Sequence, residues 1–278
     1  MGTDRIHRAT SPDGTTIAGR VHGQGPPLVL VPGGPTDGET CWPLLLPLLS
    51  ERYTCFALNT RGRSLSDDHS DHSHERLVED VIAFVESIGD DVVLFGHSAG
   101  GVHALEAAAH TPALRALALY EPALSELADA DVAARMGDAL EQVGHAAQEG
   151  RLTDAAQTFL EEVAQATDDE LAAAAKTRAV EGMAPLVPVV LDEVAQAGPP
   201  QLSDHGLLAH IRVPVLILYG GRSWPLFRTV ARHLEERLAD PRVREVPGVA
   251  HLAPEFEPES VAAELVQLLE ELPAPQPG

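Results

Sequence analysis

The chain has 278 residues, of which 44% are hydrophobic, and its formal net charge is −23. This length and apolar content suit one large domain or one domain with an insertion. The strong negative charge argues against nucleic acids and anionic membranes as partners. Only two cysteines, Cys41 and Cys55, occur. We therefore expect no disulfide framework and a reducing compartment, the cytoplasm.

The start of the sequence and its apolar runs bear on secretion signals and membrane spans. Residues 1–5 lack the apolar stretch of a signal peptide, and no run of 18 apolar residues occurs. We therefore predict neither a secretion signal nor a membrane span.

The first half of the chain alternates between strand and helix patterns. A turn at residues 11–14 between two apolar stretches predicts a β-hairpin. The further strands are predicted at 27–31, 53–58, 92–95 and 114–120, and the helices at 40–51, 73–88 and 101–110. Strict alternation of this kind predicts a parallel sheet with right-handed crossovers.

The alternation stops between residues 125 and 204, where helical patterns replace it. Helices are predicted near 125–144, 151–166, 168–181 and 186–197. Sixteen acidic and four basic residues fall in this stretch, about half of the excess negative charge of the chain. We interpret residues 125–205 as an inserted helical cap. The alternative is that the main domain continues with longer helices.

Strand and helix alternate again in the last part of the chain. Strands are predicted at 213–219 and 242–246, and helices at 225–238 and 259–272. The predicted core therefore comprises residues 1–124 and 206–272, with residues 273–278 as a flexible tail.

A serine stands at a sharp strand-to-helix turn in the sequence Gly96-His97-Ser98-Ala99-Gly100. This pattern is typical of a nucleophile elbow, whose tightness requires small residues such as Gly96 and Gly100. The helix N-terminus beneath the serine offers N–H groups to a developing oxyanion. The alternative is an ordinary glycine-rich turn, which predicts no histidine or acid at the right later positions.

A base must remove the serine proton, and position selects it among 13 histidines. His251 follows the last strand, so it should lie at the same edge of the sheet as Ser98. His97 is the alternative base, although a neighbour at a sharp turn points elsewhere. It otherwise packs or lines the pocket.

Three histidines, His69, His72 and His74, stand close together in an acidic stretch. Their spacing does not match the helical two-histidine zinc signature. We interpret the stretch as a solvated loop that enters a helix. No metal site and no cofactor is predicted.

An oxyanion requires two N–H donors. Ala99, the residue after the nucleophile, supplies one, and the loop after the strand at 27–31 supplies the other. Gly34 is the predicted donor, with Gly33 as the alternative. Pro35 has no N–H to donate.

These features together, over about residues 15–272, resemble the α/β-hydrolase fold superfamily. The loop Pro32-Gly33-Gly34-Pro35 resembles its His-Gly-x loop, with Pro32 in place of histidine. Residues 59–66 are similar to its Asp-x-Arg-Gly-x-Gly-x-Ser segment, but depart from it at Asn59 and Ser64. The resemblance implies a mostly parallel, doubly wound α/β sheet with an inserted helical cap.

The resemblance also implies an acid after the strand at 214–219, where this chain has Ser223 instead. A subset of the superfamily carries its acid at the end of the preceding strand, where Glu121 stands here. We therefore predict Glu121 as the acid, with Asp204 and Asp37 as alternatives. The alternative is that Glu121 serves as a cap-hinge carboxylate or as a charge at a helix N-terminus.

A serine nucleophile disfavours epoxide opening and dehalogenation, which use aspartate in this superfamily. We predict a serine hydrolase that cleaves a small carboxylic ester or lactone through Ser98, His251 and Glu121. Its partner would be a small acyl substrate, and no oligomeric state is predicted. The alternatives are a cofactor-free lyase, cyclase or perhydrolase, and a small-molecule receptor. A mainly aliphatic pocket is expected, with possible lining by His97, Trp42, Tyr120, Met183 and Trp224.

Overall fold

One sheet of eight strands runs through the residues that the computed structural model describes, which are 5–89, 91–197 and 205–272. Its spatial order is β1-β2-β4-β3-β5-β6-β7-β8. In chain order the strands are β1 (Arg5–Thr10), β2 (Thr16–His22), β3 (Pro27–Val31), β4 (Thr54–Asn59), β5 (Val92–His97), β6 (Leu114–Tyr120), β7 (Val215–Gly220) and β8 (Pro241–Val246).

The sheet is parallel except at one end. β2 pairs antiparallel with both β1 and β4, whereas the other neighbouring strands run parallel. The hairpin β1–β2 and the mostly parallel sheet confirm the predicted fold class. Parallel strands end at the same edge, so the residues after β3, β5, β6, β7 and β8 meet there.

The central strands are almost continuously apolar because helices cover both faces of the sheet. Residues of α2 (His74–Ile88), α3 (Ser98–His110) and α10 (Pro225–Glu235) pack on one face. Residues of α1 (Leu45–Ser50) and α12 (Glu259–Glu271) pack on the other. Two hydrophobic layers therefore enclose the sheet, as expected for a doubly wound fold.

Helix α1 is shorter than the helix predicted at residues 40–51. The Asp37 side chain accepts hydrogen bonds from the Glu39 and Thr40 N–H groups, at 3.0 and 2.8 Å, and so forms a local turn. Pro43 disfavours helical backbone at Trp42, the residue before it. The helix therefore begins only at Leu45.

The segment 125–197, here called the helical segment, contains no strand in the part of the chain that the structure describes. Its elements are a 3₁₀ turn (Ser125–Leu127), α4 (Ala130–Gln148), α5 (Leu152–Thr158), a π-helical turn (Phe159–Val163), α6 (Asp168–Thr177), α7 (Ala179–Met183), a second 3₁₀ turn (Ala184–Leu186) and α8 (Val187–Gln196). These helices share a third hydrophobic cluster, which Leu252 joins.

Two short helices complete the described chain, namely α9 (His205–Leu208) and α11 (Ala253–Phe256). The division into core and cap stays a prediction. The predicted tail at 273–278 and the end of the predicted cap at 198–204 lie outside the described residues. No helix in the described ranges has the length and apolar character needed to cross a membrane.

Candidate active site

Ser98 lies at the first turn of α3, directly after β5, in a left-handed backbone conformation with φ of 53°. Its neighbours must be small. A Cβ atom on Gly96 would lie 2.7 Å from the Gly100 carbonyl oxygen, and one on Gly100 would lie 2.3 Å from the Pro32 carbonyl oxygen. The structure therefore forms the sharp strand-to-helix turn that the glycine pattern predicts.

His251 lies beside the serine, on the loop between β8 and α11. Its Nε2 atom is 3.1 Å from the Ser98 Oγ atom. The ring is buried and stacks on Phe227, with ring centroids 4.6 Å apart. The histidine and serine that the sequence predicts as a pair are thus within hydrogen-bond distance.

Glu121 contacts the other side of the same ring. The His251 Nδ1 atom is 2.7 Å from the Glu121 Oε2 atom, and the second carboxylate oxygen accepts the Gly220 N–H at 2.6 Å. Glu121 follows β6 directly, is buried, and has a positive φ of 48°. A carboxylate from the end of β6 therefore lies against the end of β7.

The other predicted acid positions lie elsewhere. Asp37 accepts hydrogen bonds from Thr40 and Ser64 within its own surroundings. The Ser223 hydroxyl is buried and finds no hydrogen-bond partner in the described part of the chain. Asp204 lies outside the described residues. Among these positions in the described chain, only Glu121 contacts the His251 ring.

His97 contacts the backbone of His251 rather than Ser98. Its Nε2 atom is 2.9 Å from the His251 carbonyl oxygen. Burial holds the pKa of His97 well below its usual value, with a further decrease from nearby His251. The ring is therefore neutral, and it donates Nε2–H to the His251 carbonyl because a carbonyl oxygen can only accept.

Two of the residues expected to line the pocket belong to the core instead. Trp42 and Tyr120 are fully buried and surround the His97 ring at centroid distances of 6.3 and 5.8 Å. The Tyr120 hydroxyl donates to the Ala250 carbonyl oxygen at 2.6 Å. Both aromatic rings support the loop that carries His251, and the interpretation of them as pocket-lining residues is corrected.

A cavity of about 1400 Å³ lies over Ser98 and His251. His97, Met183 and Trp224 are among the residues that line it. The helical segment contributes apolar side chains that sequence reasoning did not single out, namely Met136, Leu140, Phe159, Leu160, Val163 and Val190. Their pattern of apolar positions marks them only as buried residues, so the sequence gives no signal for this role.

Gly33 and Gly34 lie in the loop after β3, and this loop approaches Ser98 closely. A Cβ atom on Gly33 would lie 2.7 Å from the Ser98 Cβ atom, and Gly34 has a positive φ of 37°. Ala99 is the second residue of α3, so no carbonyl of the helix accepts its N–H. Both predicted oxyanion donors thus belong to elements that meet at Ser98.

Arg63 holds this loop in place. Its Nη1 atom donates to the carbonyl oxygens of Gly34 and Thr36, at 2.9 and 2.6 Å. Its Nη2 atom pairs with both carboxylate oxygens of Glu193 in α8, at 2.7 and 2.6 Å. Arg63 therefore links the Gly34 loop to the helical segment, a role that sequence reasoning missed.

The cavity is lined by carboxylates and not by cations. Within the described ranges no Arg or Lys side chain lines it, whereas six glutamates do, namely Glu75, Glu79, Glu106, Glu126, Glu193 and Glu255. Arg63 and Arg76 pair with Glu193 and Glu79 from outside the lining. Burial raises the pKa of Glu255 to about 8, so its carboxyl is mostly neutral at pH 7. The other glutamates favour a negative potential in the cavity.

The three histidines near residue 70 contact different partners. His72 pairs with Asp68 at 3.0 Å, and His74 pairs with Glu106 at 2.6 Å. His69 accepts the Asp71 N–H at 3.1 Å. These side chains diverge into separate local contacts.

Comparison with known proteins gives both a family and several related folds. A model of the alpha/beta hydrolase family matches residues 28–264. An alpha/beta hydrolase from Sphaerobacter thermophilus is 27% identical, with a TM-score of 0.74 over 95% of this chain and 100% of that one. No curated protein matches the chain.

Less similar solved structures share the fold but are named for different activities. An esterase from Rhodococcus is 22% identical, with a TM-score of 0.77 over 96% of this chain and 99% of that one. An epoxide hydrolase from metagenomes of hot environments is 17% identical, with a TM-score of 0.72 over 96% of this chain and 99% of that one. These likenesses show a common fold, and the chemistry must be argued from the site.

Proposed function

Because the chain belongs to the alpha/beta hydrolase family, we propose that it is a serine hydrolase that cleaves a small carboxylic ester, lactone or related acyl bond. One observation carries this proposal. A continuous line of hydrogen bonds runs from Ser98 through the His251 ring to Glu121, at 3.1 and 2.7 Å. This order of nucleophile, base and acid is the arrangement that activates a serine for acyl transfer.

The proposed reaction begins with proton transfer from the Ser98 hydroxyl to His251 Nε2 as the Oγ atom attacks the substrate carbonyl. Glu121 accepts the Nδ1–H and stabilises the imidazolium that forms. The carbonyl electron pair moves to oxygen, where the N–H groups of Ala99 and Gly34 would bind it. His251 then returns the proton to the departing alcohol.

Water completes the cycle by the same chemistry. His251 removes a proton from water, the hydroxide attacks the acyl-serine, and the acid product leaves as the proton returns to Ser98. No group other than these side chains and backbone donors is required. Epoxide opening would need an ester of an aspartate at the position of Ser98, so the residue present favours acyl transfer.

The cavity lining supports a neutral, mainly aliphatic acyl substrate. Its helical side is mainly apolar, with side chains such as Leu140, Phe159 and Val190, and among the described residues its lining includes glutamates but no Arg or Lys. Carboxylates that face a substrate site raise the energy of a bound anion. We therefore propose that substrates with a negative charge on the acyl chain are disfavoured.

A fluorophosphonate probe tests the proposal directly, since it phosphonylates only an activated serine. We expect one equivalent of label per chain at Ser98, and no label in Ser98→Ala. His251→Ala should slow the labelling strongly while the fold is retained. A folded wild-type protein that takes up no label would overturn the proposal.

Turnover separates hydrolysis from other chemistry on the same fold. With a panel of neutral short-chain esters and lactones, we expect hydrolysis that Ser98→Ala abolishes. Labelling of Ser98 without turnover of any member of the panel would instead favour a lyase, cyclase or perhydrolase. Binding of a panel member without labelling or turnover would favour a receptor.

A further inference from the structure

Three side chains with metal-binding atoms converge behind the His251 loop. They are Cys41, from the loop before α1, His97, from the end of β5, and Glu255, from α11. The Cys41 Sγ, His97 Nδ1 and a Glu255 carboxylate oxygen all lie within 4.8 Å of one another, and all three residues are buried. None of these atoms has a part in the proposed hydrolytic reaction.

The His97 ring presents a free lone pair to this cluster. Its Nε2–H donates to the His251 carbonyl, so the Nδ1 atom is the acceptor nitrogen. That Nδ1 atom has no hydrogen-bond partner among the described residues, although His97 is only 1% exposed. The nearest Glu255 oxygen is 3.8 Å away, beyond hydrogen-bond distance.

A buried acceptor without a partner calls for an explanation, such as an ion that occupies its lone pair. Histidines that bind metal ions also donate their other ring N–H to a carbonyl or carboxylate, which fixes the tautomer and the ring orientation. His97 has that second contact already, through the His251 carbonyl. The ring is therefore oriented as a ligand before any ion binds.

The chemistry of the three donors selects the ion. A thiolate, an imidazole and a carboxylate are the ligands that Zn²⁺ takes in proteins, whereas Mg²⁺ and Ca²⁺ prefer oxygen alone. His97 and Glu255 also line the cavity, which gives an ion a route of entry and leaves room for a water ligand. We propose that Cys41, His97 and Glu255 form a Zn²⁺-binding site, with its fourth position open to the cavity.

The geometry and the charge of the cluster both permit such a site. Tetrahedral Zn²⁺ holds its ligand atoms roughly 3.3–3.6 Å apart, so the three side chains must draw together by about 1 Å. Binding releases one proton from the Cys41 thiol and one from the Glu255 carboxyl to solvent. One Zn²⁺ with one thiolate and one carboxylate is electrically neutral, as a buried site requires.

Metal binding to this protein can be measured without any assay of hydrolysis. The wild-type chain is stripped with EDTA, dialysed and titrated with Zn²⁺ by calorimetry, and with Co²⁺ by absorption. We expect one equivalent to bind and Co²⁺ to produce the charge-transfer band of a thiolate ligand. Cys41→Ser should abolish that band, and both Cys41→Ser and Glu255→Gln should weaken Zn²⁺ binding roughly 10-fold or more.

Cys55 provides the matched control, because it is the other buried free cysteine and lies in β4 with its Sγ atom 3.9 Å from the Tyr53 carbonyl oxygen. Cys55→Ser should retain the band and the affinity. Circular dichroism shows whether each variant is folded, and Glu255→Gln tests the site if Cys41→Ser does not fold.

Two results would overturn the site. One is the absence of a thiolate band in the folded wild-type protein with Co²⁺. The other is Zn²⁺ affinity that is equal in the wild type, folded Cys41→Ser and Glu255→Gln, which would place the ion at exposed residues such as His69 and Asp68. Because these measurements follow binding, they stand apart from the fluorophosphonate test of Ser98.

Discussion

The cavity has two walls that are held in different ways. The first, here called the sheet wall, consists of the residues that follow β3, β5, β6 and β8 and of lining side chains of α2, α3 and α10. Buried hydrogen bonds fix it, such as those of Glu121 with Gly220 and of Tyr120 with Ala250. The second, the helical wall, consists of side chains of the helical segment.

The helical wall is joined to the sheet wall by few polar contacts. Arg63 pairs with Glu193, and the Leu252 N–H donates to Glu170 at 2.6 Å. The helical wall contributes mostly apolar side chains to the cavity, and apolar contacts do not fix side-chain orientation as hydrogen bonds do. We infer from this difference that the sheet wall performs the proposed chemistry and that the helical wall shapes the space for the substrate.

Replacement of Glu121 is the most severe test of the sheet wall. Glu121→Gln keeps the volume of the side chain but removes the charge that stabilises the imidazolium. We expect kcat to fall by about 10³–10⁴-fold with KM little changed. Steady-state kinetics on an ester that the wild type hydrolyses would measure this.

Glu257→Gln is the matched control, because Glu257 is exposed and close to His251 in the chain. It should keep wild-type kinetics. Unchanged turnover in Glu121→Gln would remove Glu121 from the mechanism and leave Asp37 or Asp204 as the acid.

Arg63 joins the two walls, so its replacement asks how far they depend on each other. Lysine cannot donate to Gly34, Thr36 and Glu193 at once in the geometry of a guanidinium. The Gly34 peptide should then lose its orientation, and we expect kcat to fall about 10–100-fold. Complete removal of one oxyanion donor typically lowers kcat by about 10²–10³-fold. Arg52→Lys, in an exposed pair with Glu270, is the control.

Both kcat and the rate of Ser98 labelling by the fluorophosphonate would be measured in the Arg63→Lys variant and in the wild type. A normal kcat in this variant would show that the Gly34 loop is held without the link to α8. The orientation of the Gly34 loop would then not depend on the helical wall.

His103 tests whether neutral buried groups stabilise the sheet wall. Burial lowers the pKa of His103 well below its usual value, with smaller decreases from His74 and Arg63. The unfolded ring binds a proton below pH 6.5 while the folded ring does not, so its stabilising contribution is complete above pH 6.5 and is lost as the pH falls. The slope is at most about 1.4 kcal/mol per pH unit.

Urea unfolding between pH 5 and 8 would measure this effect in the wild type and in His103→Asn. The variant should show the smaller loss of unfolding free energy as the pH falls, and the two slopes should agree above pH 7. Equal slopes below pH 6 would mean that His103 is protonated in the folded protein.

The smallest expected effect concerns the charge of the cavity lining. A neutral ester should react roughly 5–10-fold faster, as kcat/KM at low salt, than its analogue with a terminal carboxylate. Salt should reduce this ratio because it screens the carboxylates of the cavity. Faster turnover of the carboxylated ester at low salt would contradict the proposed substrate class.

Much of the sheet could be predicted because each element has its own local pattern. The positions of Ser98 and His251 follow from the predicted order of strands and helices, since each residue comes soon after the end of a parallel strand. Trp42 and Tyr120 are predicted to line the pocket but lie in the core, because an aromatic side chain has the same sequence pattern in a core and in a pocket. Its direction depends on how the neighbouring layers pack.

Contacts between distant parts of the chain were beyond sequence reasoning for a related reason. Arg63 stands in a segment that reads as structural, and nothing local shows that it reaches Glu193. Cys41 and Glu255 are far apart in the chain and likewise become neighbours only in the folded structure. Pairings of this kind depend on the relative placement of elements, which periodicity does not encode.

The backbone at Ser98 has one more consequence. A left-handed conformation costs an L-residue with a side chain roughly 1–2 kcal/mol, whereas glycine adopts it freely. Folding alone therefore favours glycine at this position, and a variant with glycine there would be the more stable and the inactive protein. Only selection for the hydroxyl would keep a serine at residue 98. The chain is therefore less stable than it could be because of the residue that would react.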